Sequence, residues 1–158
     1  MRMSPSANRS REAGFSLVEV MTTLAVIGLV AGAVVLAAPG PDMRLRNEVE
    51  RFAAQLKFAS DESVLTNRDI AVAATAEGYH FEKLDEAGWR RIENIEPLGF
   101  HPWPGGRAPQ VKGGGEEYLA EFDSFGGADP VVLLFGEPIP QWRVAIDEAG
   151  AIHVDRAG

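Results

Sequence analysis

From Val20 to Ala38 the chain runs 19 residues without a charged side chain. As an α-helix that stretch is roughly 28 Å long, close to the hydrocarbon thickness of a bilayer. Beyond Thr22 and Thr23 nothing in VMTTLAVIGLVAGAVVLAA offers a polar face, which the surface helix of a soluble domain would need. The run therefore reads as a membrane-crossing helix, and the rest of the chain must be organised around it. With 158 residues in all, there is room for one folded domain beyond the run.

The flanks narrow the reading. Residues 1–14 carry Arg2, Arg9 and Arg11 against Glu12, a net +2, so everything after Gly14 carries −10. A basic start before an apolar run also suits a secretory signal peptide, with Ala37-Ala38 mimicking a small-residue cleavage site. Two features oppose this. The run exceeds a typical signal core, and Glu19 stands near its N-terminal end, where a charge is costly in lipid. Arg44, Arg46 and Arg51 follow the run as three arginines precede it, so charge asymmetry does not set the orientation. Gly28 and Gly32 form a GxxxG, the spacing that lets membrane helices approach closely.

Immediately before the run stands Gly14-Phe15-Ser16-Leu17-Val18-Glu19. This segment resembles the class III signal of type IV pilins and type II secretion pseudopilins. The pattern is a short basic leader, Gly, Phe, a small hydroxyl residue, two aliphatics, Glu and about twenty apolar residues. The resemblance implies a prepilin peptidase that cuts between Gly14 and Phe15 on the cytoplasmic side and then methylates the new Phe15 amine. Gly14 would pass a narrow cleft without a side chain. Glu19 would become the fifth residue of the mature chain, and in lipid it needs a partner. The expected one is the N-terminal amine of a neighbouring subunit, which would fix the stagger between subunits.

After the run, Ala38-Pro39-Gly40-Pro41 should break the helix, and Asp42 could cap the next one. Leu45, Val49, Phe52, Leu56 and Ala59 then recur at spacings of 4, 3, 4 and 3, an amphipathic stripe that predicts a helix to about Thr66, with Asn67 turning the chain. Strands follow. Ile70–Ala74 is short and apolar, and Tyr79, Phe81 and Lys83 alternate with His80, Glu82 and Leu84. Asp-Glu-Ala-Gly occurs twice, at 85–88 and 147–150, each time between strand-like segments, predicting two hairpins. Pro97–Gly115, with HPWPGG and GGG, reads as a long loop. One helix packed on antiparallel strands is an α+β domain.

That order also resembles the H-type minor pseudopilin family of type II secretion, through LKFASDESVLTNRDIAV, the GYHFEKLDEAGW hairpin and the segment from Phe122 to WRVAIDEAGAIHV. The family often shows Phe-x-Pro-x-Gly, whereas Phe122-Asp123-Ser124-Phe125-Gly126 has Ser124 in place of the proline. The resemblance implies a pilin-like fold: residues 1–14 as a cleaved leader, 15–38 as the transmembrane helix and 39–158 as a periplasmic domain. It implies single-pass anchoring in the inner membrane. The implied role is a structural subunit, at the tip of a short pseudopilus that drives export of folded proteins across the outer membrane. The implied partners are other minor and major pseudopilins, the prepilin peptidase and the inner-membrane secretion platform. Two other roles suit an anchored chain: a minor pilin of a type IV pilus, and an anchored periplasmic enzyme or chaperone.

Chemistry-bearing residues are sparse. His80, His101 and His153 lack metal-ligand spacing, and no GxSxG surrounds Ser60, Ser63 or Ser124. Glu116-Glu117 and Asp147-Glu148 sit in glycine-flanked turns, where solvation explains paired acids. Calcium at an acidic loop is left open, though no ligand spacing marks one. Gly113-Gly114-Gly115 lacks the Lys-Ser/Thr of a phosphate loop. With no cysteine, disulfides and thiol chemistry are excluded. No enzyme, cofactor or metal is expected. Residues 116–158 set nine carboxylates against Arg143 and Arg156, a net −7 that repels nucleic acid. Partner contacts are expected at the helix stripe's edge, exposed strand faces and the Trp103 loop.

Overall fold

The computed structural model describes residues 16–37, 40–115 and 117–158, and the chain divides between residues 39 and 40 into two compact units. The first unit's helix is α1, Leu17–Ala37. Its 21 residues make about 31 Å of helix. Every described side chain on it is solvent-facing, an arrangement that suits lipid rather than water. Thr22 Oγ1 donates to the carbonyls of Val18 and Glu19, and Thr23 Oγ1 to that of Glu19 at 2.7 Å, so both hydroxyls are satisfied within the helix.

The second unit opens on α2, Pro41–Thr66. Gly40 is its N-cap without a side-chain cap bond, and Pro41 takes the first helical position, where the missing N–H costs nothing. Asp42 is therefore not the cap expected from the sequence. It lies in the first turn, where its charge complements the helix dipole. The stripe is as expected: Val49, Phe52, Leu56 and Ala59 are fully buried, and Leu45 packs partly against them. Asn67 ends α2 in the left-handed conformation, φ 51° and ψ 47°, which asparagine tolerates better than most side chains.

Two antiparallel sheets receive that stripe. In the first, β1 (Ile70–Ala74) lies between β2 (Gly78–Asp85) and β6 (Ala120–Phe122). The far edge of β2 is shared by β3 (Gly88–Arg91) and the two-residue β4 (His101–Pro102). In the second, β5 (Gln110–Gly113), β7 (Val131–Phe135), β8 (Trp142–Ile146) and β9 (Ile152–Arg156) are neighbours in that order. Leu133 pairs with Val144, which pairs with Val154, so alternate residues carry one apolar face across the sheet. Both hairpins form at the repeated tetrapeptide, with Gly88 at φ 107° and Gly150 at φ 68°.

The segment 97–115 departs from expectation. It is not one long loop: it holds a turn of 3-10 helix at Glu96–Leu98, β4, a second turn at Pro104–Gly106 and β5. Trp103 lies in the core rather than on a partner-facing surface, with its Nε1–H donating to the Thr75 carbonyl at 2.8 Å. A tryptophan whose N–H finds a partner can bury its whole ring, and this satisfied bond is not visible in the polar-looking HPWPGG. Glu48 of α2 holds the same segment by accepting from Gly105 N–H at 2.7 Å.

Phe52 is central to the packing. Its ring centroid stands 4.7 Å from Tyr79 on β2, 5.6 Å from Phe135 on β7 and 6.2 Å from Trp103, all edge-on. Beside it Tyr79 donates its hydroxyl to buried Gln55 Oε1, and burial pushes the phenol's pKa well above its usual range. Phe52→Ala should destabilise the folded unit by about 3–5 kcal/mol, and Phe52→Leu by clearly less. Urea unfolding of the full chain in detergent, followed by tryptophan fluorescence, measures the difference.

Acid sensitivity has an identifiable source in the two hairpins. The Ala87 N–H holds the Asp85 carboxyl below the usual carboxylate range, with help from Arg90; the Ala151 N–H does the same for Asp147, with help from His153. A depressed folded-state pKa contributes stability above the unfolded value, about 4, and that contribution is lost as pH falls through the folded value. The double variant Asp85→Asn and Asp147→Asn should therefore lose less stability than the wild type between about pH 5 and pH 2.5. Unfolding midpoints across that range check it.

Candidate functional site

Of the residues expected to carry function, Gly14 and Phe15 lie outside the described residues, as does Glu116. Glu19 does not. It occupies the first turn of α1, its N–H bonded to Ser16 O at 2.9 Å, with its side chain exposed. Among the described residues no cation pairs with its carboxylate. A lone carboxylate one turn into a helix this apolar needs a counter-charge from another molecule or from the chain end.

Gly28 and Gly32 are also on α1, and a side chain added at either would meet nothing within 4 Å. At 100° per residue the two share a face, which lies about 180–220° round the helix from Glu19. The helix thus brings the two glycines together and sets them opposite the carboxylate.

In the second unit the titratable groups are mostly tied into the fold. Ser63 is buried, and its hydroxyl donates to Ser60 O at 2.8 Å and Asp123 O at 3.0 Å, locking the end of α2 to the loop after β6. His80 Nε2 stands 3.0 Å from Glu82 Oε1, and His153 Nε2 stands 3.4 Å from Asp147 Oδ2. His101 lies against the Tyr79 ring. Tyr118 packs at a tilt against Trp89 and donates to Glu82, and burial with that bond pushes its phenol up to about 12. Among the described residues no three His, Asp or Glu side chains converge as metal ligands.

The loop after β6 holds two residues whose roles the sequence did not disclose. Asp69, just past α2, accepts the Ser124 N–H at 2.8 Å. A proline at 124 could not make that bond, so Ser124 and Asp69 together supply a constraint that the ring of a proline would otherwise impose. Phe125, the next residue, is 92% exposed. Only its place between Ser124 and Gly126 could have drawn attention to it.

The chain is similar to known proteins. Residues 9–35 fit the prokaryotic N-terminal methylation motif. The chain is 33% identical over 160 residues to type II secretion system protein H of Klebsiella pneumoniae, covering 94% of both chains. It is 36% identical over 95 residues to the protein H of Aeromonas hydrophila, and 32% over 76 residues to that of Pseudomonas aeruginosa. Those two alignments cover 52% and 44% of the relatives, so the match spans about half their length. The crystal structure of the minor pseudopilin EpsH from the type II secretion system of Vibrio cholerae superposes with a TM-score of 0.58 at 19% identity, covering 70% of this chain and 94% of that one. A second EpsH structure gives 0.59, with 73% and 97% covered. The fold is therefore the pilin-like α+β arrangement of a long N-terminal helix and antiparallel sheets. With the Klebsiella relationship running nearly end to end, the chain belongs to the type II secretion system protein H family.

Proposed function

We propose that the chain acts as a minor pseudopilin, a structural subunit near the tip of a periplasmic pseudopilus that helps drive folded proteins across the outer membrane. The observation that carries this reading is the coincidence in one chain of the N-terminal methylation motif and near-full-length relatedness to protein H. The geometry supports a structural part: an exposed apolar helix that must find neighbours in a membrane, joined to a domain whose polar groups mostly serve its own fold. In this reading residues 15–38 cross the inner membrane once and residues 39–158 stand in the periplasm. The partners are other minor and major pseudopilins, the prepilin peptidase and the inner-membrane secretion platform. The net −7 of residues 116–158 keeps nucleic acid off the list.

Processing would begin with scission of the Gly14–Phe15 bond, which removes Arg2, Arg9 and Arg11 and leaves the helix in the lipid. Intact-mass analysis of the membrane-extracted protein should find a chain starting at Phe15 with one added methyl group. A terminus near Ala38, or an uncleaved chain, overturns the reading.

The carboxylate of Glu19 would then pair with the N-terminal amine of a neighbour, while Gly28 and Gly32 admit another helix on the opposite face. Glu19→Ala should leave membrane insertion and the folded domain intact, yet reduce cross-links to neighbouring subunits and lower export at native expression, by about tenfold or more. Wild-type export in that variant would remove the pairing from the mechanism.

A further inference from the structure

The loop joining β6 to β7 is held unusually firmly for an exposed segment. Asp123 Oδ1 accepts from the N–H groups of Phe125 and Gly127 at 2.8 Å each, and Asp69 accepts from Ser124 N–H. Asp123 N–H donates to Gly127 O at 3.0 Å, and Gly126 N–H returns to Asp123 O at 3.2 Å. Buried Ser63 anchors the Asp123 carbonyl from below. On its far side the loop presses against the β8–β9 hairpin, where a β-carbon at Gly150 would lie 2.5 Å from Gly126 O. All this bracing presents one large apolar side chain to water, Phe125.

Phe125 is not isolated. A β-carbon at Gly126 would sit 3.7 Å from Val64 Cγ2, so the end of α2 abuts the loop there. Val64 is 49% exposed. Beside this patch Glu121, Asp123, Asp129 and Glu148 surround one shallow depression. Burial raises the Glu121 carboxyl's pKa, and the neighbouring Asp129 and Asp69 carboxylates add to the effect. A rigid exposed aromatic loses little entropy on docking, and the adjacent acids select a basic surround.

We propose that Phe125, with Val64, is the docking surface for a neighbouring membrane-anchored pilin-like subunit, one that presents an apolar pocket flanked by lysine or arginine. This deepens the proposed function and rests on it. A second copy meeting the patch through the same face would set the four carboxylates against themselves. Two such side chains bury on the order of a couple of hundred Å², below the roughly 1,200 Å² of a free-standing interface. The occupant must therefore be held nearby by another tether, and a shared membrane supplies one.

The test uses the full chain in its native membrane, with photoreactive benzoylphenylalanine replacing Phe125, and in a control replacing Ile139, which is 74% exposed on a different loop. A third probe at Leu24 reports assembly through α1. Irradiation should join position 125, and not 139, to a second pilin-like subunit identified by mass spectrometry. Adding Asp129→Lys and Glu148→Lys should cut that adduct at least about fivefold. Phe125→Ser, which removes a side chain the fold does not pack, should lower export at least about fivefold at unchanged membrane level. If position 125 gives no pilin-like adduct, or joins two copies of this chain or an exported protein, the docking surface is overturned. Adducts from position 24 in that case leave the proposed function standing, and their absence as well removes both.

Discussion

The edge-on contacts of Phe52 hold the folded unit in one piece. The two sheets share no continuous ladder, and each would be left with an apolar face in water without a third surface to cover it. Helix α2 supplies that surface, and Phe52 is the residue on it whose ring meets Tyr79 from one sheet and Phe135 from the other. Trp103 closes the arrangement from the segment between the sheets, and its indole N–H is satisfied by Thr75. The order of dependence runs from the spacing of apolar residues on α2, to one ring at the junction, to the positions of loops at the ends of both sheets.

The sequence disclosed those parts of the fold that depend on periodicity and local chemistry. The α2 stripe follows from spacing alone, the left-handed Asn67 from residue type, and the two hairpins from the repeated Asp-Glu-Ala-Gly. Residues whose role depends on distant partners were illegible. Trp103 looked like a loop residue because its partners, Thr75 and Phe52, lie 28 and 51 positions away. Asp42 resembled a cap, but the preceding Pro41 already occupied the first helical position. At the candidate site, Glu19 and the glycine pair were visible because a membrane makes any polar or small residue informative. Phe125 was not, since exposure is a property of the finished fold.

On the proposed reading the chain also meets two solvents with opposite demands. In α1 the backbone is satisfied internally and even the threonine hydroxyls fold back on the helix, so a single carboxylate becomes the dominant unsolved charge. In the second unit charges are plentiful and individually weak, as with Arg46–Glu50 and Lys57–Asp61 on the exposed face of α2. On that reading one glutamate in lipid carries more consequence than a surface ion pair. The face it occupies differs from that of Gly28 and Gly32, so a single neighbouring helix cannot satisfy both.

The bond from Ser124 N–H to Asp69 bears on how such a loop can change over time. A proline at 124 fixes the backbone by its ring, whereas serine needs a carboxylate across the fold to do the same. The two solutions exclude one another at the level of single steps. Introducing proline while Asp69 remains strips that carboxylate of its donor, and losing Asp69 first leaves the Ser124 N–H without its acceptor. Each intermediate is poorer than either end state, so positions 69 and 124 are epistatic: they should drift together across relatives, separated by 55 residues yet evolving as one locus.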